Sequence, residues 1–160
     1  MLATIDKILF LKSVSFFSGL HGEELRDLAD IATESEHPAD TVLYKPDDAA
    51  DCLYVIVSGH CSVERETQGQ KIELASLGSR DYFGEMSLLD GEPHTTTATL
   101  TEPSALLKLT RDSFREFIKE DPDVAFAVFR ELTRRLRQYR DIDEYRHAEE
   151  AAAPVPSLSG

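Results

Sequence analysis

Cysteine is scarce in this 160-residue chain, and tryptophan is missing altogether. Two cysteines, Cys52 and Cys61, cannot build the disulfide framework of a small secreted domain, and we interpret them as small buried residues in a reducing compartment. No CxxC or HExxH spacing occurs and the five histidines are scattered, so the sequence predicts no metal site. Since no nucleophile–base pair stands out either, we predict no catalytic residues, no cofactor and no enzymatic activity.

Long apolar runs are missing as well. The opening segment MLATIDKILFLK is interrupted by Asp6 and Lys7, and it is too short and too charged for a signal peptide or a membrane span. The sequence therefore predicts a cytoplasmic protein without membrane insertion.

Positive charge is in short supply. The chain has 17 basic and 30 acidic side chains, which gives a net charge of −13. A polyanion is repelled by such a field, so we predict no direct nucleic-acid binding. The length and the 41% hydrophobic content are nevertheless sufficient for one domain with a buried core.

Three blocks follow one another along the chain. Residues 1–33 have helical spacing, most clearly in GEELRDLADIAT, whose apolar residues share one face. Short segments rich in Val, Ile, Tyr and Thr fill residues 34–109, and their close spacing predicts an antiparallel barrel or sandwich. Helical spacing returns over residues 110–146, and the Pro- and Ser-containing residues 147–160 are predicted to form a disordered tail.

The last helical segment carries an apolar stripe. Thr110 is a predicted N-cap, and Asp121–Pro122 predicts the start of a second, long helix. Apolar residues then recur with heptad spacing, and we call this set the outer stripe: Ala125, Phe129, Leu132, Leu136 and Tyr139. The stripe can pack on the chain's own strands or join a second copy, and the helix length favours a homodimer through residues 122–145.

Arginines run along the same helix. They form either a solvated face, interleaved with acidic residues, or a docking patch for an acidic partner. The members of this run are Arg130, Arg134, Arg135, Arg137 and Arg140.

The segment YFGEMSLLDGEPHTTTAT, residues 82–99, resembles the phosphate-binding cassette of cyclic nucleotide-binding domains. Such domains occur in regulatory subunits of cAMP-dependent protein kinase, in the catabolite activator protein family and in cyclic nucleotide-gated channels. The family's Phe-Gly-Glu step, its following Leu and its later Pro are matched by residues 83–89 and Pro93. The resemblance spans about residues 10–140. It implies a single α+β, mainly β domain over residues 1–146, an antiparallel β-roll or jelly-roll barrel of about eight strands with N-terminal helices and two C-terminal helices.

The resemblance also implies a ligand site. Glu85 would accept a hydrogen bond from the ribose 2′-hydroxyl, and the backbone N–H groups of Met86 and Ser87 would serve the cyclic phosphate. The implied ligand-binding set is Phe83, Gly84, Glu85, Met86, Ser87, His94, Thr95 and Thr96. Simpler interpretations stay open, because Glu85 can also stabilise a helix N-terminus and the threonines suit a strand. A histidine such as His94 is also more often a surface or hydrogen-bonded residue than a functional one, and we favour that interpretation of it.

One residue departs from the family pattern. His94 stands where the family has the arginine that clamps the phosphate. With an ordinary pKa of about 6.5, a histidine is only about one quarter protonated at neutral pH, so cyclic nucleotide is expected to bind weakly. Bound phosphate could raise the pKa of His94, in which case binding strengthens as the pH falls. Alternatively, the pocket accepts another small ligand or none.

The sequence thus predicts a regulatory module that binds cAMP, cGMP or a related small ligand and signals through its C-terminal helices. The alternative is a protein-interaction or dimerisation module with a vestigial pocket. A transcription regulator of the catabolite activator type would need a helix-turn-helix after the long helix, and the chain ends too soon to hold one. The identity of a protein partner does not follow from the sequence.

Overall fold

The computed structural model describes residues 1–152. Helices come first and last along the chain, and the strands lie between them. The elements are α1 (Thr4–Lys12), a 3-10 turn (Ser15–Phe17), α2 (Gly22–Ile31), β1 (Thr33–His37), β2 (Val42–Tyr44), β3 (Cys52–Ser58), β4 (Cys61–Thr67), β5 (Gln70–Leu77), β6 (Tyr82–Phe83), α3 (Glu85–Asp90), β7 (Thr97–Leu100), β8 (Ser104–Thr110), α4 (Arg111–Glu120) and α5 (Pro122–Ala152).

The strands form two four-stranded antiparallel sheets. One has the order β1-β8-β3-β6 and the other the order β2-β7-β4-β5. The predicted α+β, mainly β class with about eight strands is confirmed. The expected barrel does not close, because no strand pairing within residues 1–152 joins the two sheets.

Two strands, β1 and β6, were not predicted from the sequence as separate segments. β1 consists of TESEH, which lacks apolar residues because it lies at the edge of its sheet and stays partly exposed. β6 has only two residues, too few for any alternation to be visible. Thr95 and Thr96, predicted to begin a strand, instead lie in the loop before β7.

The apolar side chains form two buried clusters. The larger cluster joins the helices to the β1-β8-β3-β6 sheet and includes Phe16, Leu53 and Phe114. The smaller cluster fills the space between the sheets and includes Cys61. Both cysteines are free and buried, as predicted, and burial raises the pKa of the Cys52 thiol to about 11 and that of the Cys61 thiol to about 12.

The starts of the last two helices agree with the sequence. The Thr110 hydroxyl accepts a hydrogen bond from the Ser113 N–H at 3.1 Å, and a carboxylate oxygen of Asp121 accepts one from the Asp123 N–H at 3.1 Å. α5 continues through residues 147–152, which the sequence assigned to a disordered tail. The remainder of that predicted tail, residues 153–160, lies outside the described residues.

α5 does not pack mainly through the outer stripe. Phe129, Leu136 and Tyr139 are 56%, 68% and 65% exposed, while Ala125 and Leu132 are half-buried. The buried side chains of α5 are those of Val124, Val128 and Glu131. With the half-buried Arg135 they form a neighbouring row, which we call the inner stripe: Val124, Val128, Glu131 and Arg135. The helix therefore contacts the rest of the chain through this half-apolar row together with Ala127 and Leu132, which pack against the larger cluster.

The helices of the described region were compared with the requirements for a membrane span. None of the helices in residues 1–152 combines the length and the apolar composition that crossing a membrane requires. The cytoplasmic location stays a prediction.

Candidate functional site

Gly84 forms a corner between β6 and α3. Its φ of 87° is in the left-handed region, and a Cβ placed there would lie 2.6 Å from the carbonyl oxygen of Cys52. Only glycine fits both constraints without a shift of the backbone. The corner therefore lets α3 begin directly against the sheet that contains β3.

α3 begins with amides that lack helical partners. The first helical hydrogen bond runs from the Leu88 N–H to the Gly84 carbonyl oxygen at 3.0 Å. The N–H groups of Glu85, Met86 and Ser87 precede that bond, and such amides are the ones a helix leaves without an acceptor in its own backbone. They are available for an acceptor outside the helix.

All the sequence-predicted ligand-binding residues line one cleft of about 450 Å³. These are Phe83, Gly84, Glu85, Met86, Ser87, His94, Thr95 and Thr96. Val63 on β4 and Leu74 on β5 line the same cleft and contribute an apolar surface to it. The structure thus brings together residues from both ends of the 82–99 segment, and their role in ligand binding stays a prediction.

Glu85 is part of an ion pair that crosses the cleft. Its Oε1 lies 3.7 Å from Nη1 of Arg135, and the two side chains are 19% and 31% exposed. Arg135 also donates a hydrogen bond from Nη1 to the Tyr82 hydroxyl, and its guanidinium carbon lies 5.1 Å from the centre of the Tyr82 ring. Stacking and hydrogen bonding together favour this position of the guanidinium. α5 is therefore tied to the Gly84 corner on both sides of the glycine.

His94 is buried against another aromatic ring. It is 7% exposed, and its ring stacks on that of Tyr44 with the centres 3.5 Å apart and the planes 8° from parallel. Its backbone accepts a hydrogen bond from Asp47 at 2.8 Å and donates one to Asp48 at 3.1 Å. Burial lowers the pKa of His94 below its ordinary 6.5, although Asp48 and Asp51 act in the opposite direction. The pKa of His94 therefore lies below the ordinary value assumed from the sequence, which makes the ring a weaker cation than expected.

A second ion pair lies beside the first on α5. Glu131 is 7% exposed and accepts hydrogen bonds from Nε and Nη2 of Arg134 at 2.9 and 2.7 Å. Burial raises the pKa of the Tyr82 hydroxyl, and the nearby Arg135 opposes this effect. The contact between α5 and the Gly84 corner is thus made by polar groups that have partners.

Sequence reasoning missed the role of Arg135. It was interpreted only as a member of a basic run, but the inner stripe shows the signal that identifies it. Val124, Val128, Glu131 and Arg135 are spaced four, three and four residues apart, which places an arginine on the face that packs inward. A charged residue on the inward-facing side of a helix indicates a buried ion pair or a ligand-binding site.

Metal binding has no support in the described region. Within residues 1–152, no group of three or more His, Cys, Asp or Glu side chains is arranged to hold a metal ion.

Comparisons with known proteins agree with this geometry. The family profile of the cyclic nucleotide-binding domain matches residues 34–121. The cyclic AMP receptor protein of Thermus thermophilus is 33% identical over 129 residues, which cover 80% of this chain and 60% of that protein. The CRP-like cAMP-activated global transcriptional regulator of Mycobacterium tuberculosis is 28% identical over 135 residues, covering 84% of this chain and 59% of that protein.

A solved structure covers nearly the same region. The N-terminal domain of a transcriptional regulator from Streptomyces coelicolor A3(2) is 30% identical, with a TM-score of 0.75, and the match covers 82% of this chain and 95% of that one. By contrast, the chain spans only about three fifths of the length of the two curated relatives.

Proposed function

Because this chain belongs to the cyclic nucleotide-binding domain family, we propose that it is a regulatory module whose cleft binds cAMP, cGMP or a related small ligand. One observation carries the proposal: the Gly84 corner, Glu85 and the amides of Met86 and Ser87 line a single cleft of about 450 Å³. That volume is within the range of small-molecule sites.

The chemistry of the cleft suits the parts of a cyclic nucleotide. Unpartnered amides at the start of α3 are acceptable donors to a phosphate, and the Glu85 carboxylate can accept a hydrogen bond from a ribose hydroxyl. The apolar surface that Val63 and Leu74 contribute is suited to a flat base. We expect regulation rather than catalysis, with the signal leaving through the C-terminal helices.

A second function is favoured by a separate observation. The outer stripe of α5 leaves Phe129, Leu136 and Tyr139 more than half exposed. We propose that a second copy of the chain covers this stripe, since heptad spacing allows the same face of two helices to pack against each other. The net charge of −13 supports the view that this region does not itself contact DNA.

The location of the ligand can be tested by two-dimensional amide NMR. Addition of cAMP or cGMP should shift the amide signals of residues 84–87 and 94–96 far more than those of Gly22, at the start of α2, and Gly59, between β3 and β4, neither of which lines the cleft. The absence of any shift at millimolar nucleotide would favour the vestigial pocket. Shifts that centre on another surface would contradict the proposed site.

A further inference from the structure

We propose that Arg135 of α5 is the cation that recognises the ligand's phosphate, and that in the free protein it is held by Glu85 and Tyr82. The inference rests on the proposed function. It adds to that function the residue that recognises the anion and the route by which binding reaches α5.

The first step is that His94 cannot easily supply the charge. Its ring is buried and stacked on Tyr44. Protonation would place a cation in that buried stack, and the cost of removing the charge from water is larger than the attraction of Asp48 and Asp51. Among the described residues that line the cleft, the remaining basic side chains are Arg65 and Arg135. An arginine keeps its charge at every physiological pH.

The second step distinguishes the two arginines. Arg135 contacts the residues on both sides of the Gly84 corner, Tyr82 before it and Glu85 after it. Both contacts involve Nη1, while a guanidinium has five N–H donors, so the same side chain can also bind a phosphate. Arg65 lies on β4 and lines the same cleft, but these two contacts with the corner are made by Arg135. Arg135 is therefore the arginine that the structure places against the first residue of α3.

The third step concerns Glu85, which has two uses. In the free protein its carboxylate pairs with Arg135 at 3.7 Å. When a ribose hydroxyl donates to Glu85 and a phosphate lies beside the following amides, Arg135 can exchange the carboxylate for the phosphate. Because Arg135 belongs to the inner stripe, this exchange changes what holds α5 against the rest of the chain. Ligand binding and the position of α5 become coupled.

The contact in the free protein can be tested without ligand. Arg135→Gln should speed amide hydrogen exchange over residues 128–138 by roughly three- to tenfold, because the inner stripe loses its contact with the Gly84 corner. The matched control is Arg137→Gln, an exposed arginine on the same helix, which should leave these rates unchanged. The effects of Arg135→Gln and Glu85→Gln should be less than additive. Equal rates in wild type and Arg135→Gln would overturn the free-state contact.

The recognition role is tested by calorimetry with cAMP. Arg135→Gln should weaken binding by at least about tenfold, Arg135→Lys should retain part of the affinity because it keeps the charge, and Arg137→Gln should bind like the wild type. Hydrogen exchange over residues 128–138 should respond to cAMP in the wild type, and it should respond much less in Arg135→Gln at saturating nucleotide.

The outcomes separate this inference from the proposed function. If the wild type binds cAMP and Arg135→Gln binds it equally well, Arg135 is not the cation, although the cleft remains a nucleotide site. If Arg65→Gln loses binding and Arg135→Gln does not, Arg65 has that role. If the wild type binds neither cAMP nor cGMP, the proposed function and the recognition role of Arg135 both fail. The hydrogen-exchange rates without ligand then still test whether Arg135 contacts Glu85 in the free protein.

Discussion

At the scale of single residues, the carbonyl oxygen of Cys52 restricts position 84 to glycine. Gly84→Ala forces a Cβ to within 2.6 Å of that oxygen at a φ of 87°, whereas Gly69, with a φ of 77°, has no atom within 4 Å of the added Cβ. Both substitutions should lower the free energy of unfolding by about 1–2 kcal/mol, because alanine is unfavourable in the left-handed conformation. Gly84→Ala should lower it by about 1 kcal/mol or more in addition, because of the close contact with the carbonyl oxygen. Urea unfolding of the two variants measures the difference. Equal losses would mean that the backbone relaxes around the new methyl group.

The same scale shows what the sequence could and could not predict about the site. Residues 83–87 are adjacent in the chain and form one local turn, so their pattern alone indicated that they act together. The state of His94 depends on Tyr44 and Asp48, which are far from it in the sequence. Its burial and its lowered pKa therefore follow only from the packed structure.

At the scale of elements, α5 has one face that packs against the rest of the chain and one face that is exposed. The inner stripe contacts the Gly84 corner, while the outer stripe exposes Leu136 and Tyr139. In sedimentation experiments we expect the wild type to have about twice the 17.9 kDa mass of one chain. The double variant Leu136→Ser with Tyr139→Ser should shift towards the monomer, since each apolar side chain buried in the interface contributes about 1.5–3 kcal/mol to the free energy of association. Leu9→Ser, which changes a similarly exposed leucine on α1, is the control and should leave the dimer intact. A wild type that is monomeric at every concentration would contradict the proposed dimer.

The spacing of apolar residues predicted that α5 is a helix with a stripe, but it did not predict which face packs inward. The outer stripe is the more apolar row, and the inner stripe includes Glu131 and Arg135. Burial of charged groups is acceptable there because each has a partner: Glu131 pairs with Arg134, and Arg135 pairs with Glu85. Such pairs between side chains are invisible to a pattern of hydrophobicity.

At the scale of the whole molecule, the cleft exists because several elements meet. β6 and α3 provide the Gly84 corner, β4 and β5 contribute apolar lining residues, and α5 contributes Arg135. The order of segments along the chain indicated strands between helices, and the family resemblance implied the number of about eight strands, because β1 and β6 are not visible as separate segments. Closure into a barrel depends on which strand edges pair, and the sequence pattern contains no information about that choice.

The measurement that tests the central claim most directly is calorimetric titration of the wild type with cAMP and with cGMP at about pH 6 and about pH 8. We predict binding of at least one nucleotide, with affinities at the two pH values that agree within about threefold. The reason is that the arginine keeps its charge at both pH values, while burial against Tyr44 lowers the pKa of His94 and disfavours its charged form. No heat from either nucleotide at millimolar concentration would contradict a nucleotide-binding cleft. Binding that is much tighter at the lower pH would contradict Arg135 as the cation, since the charge would then come from His94.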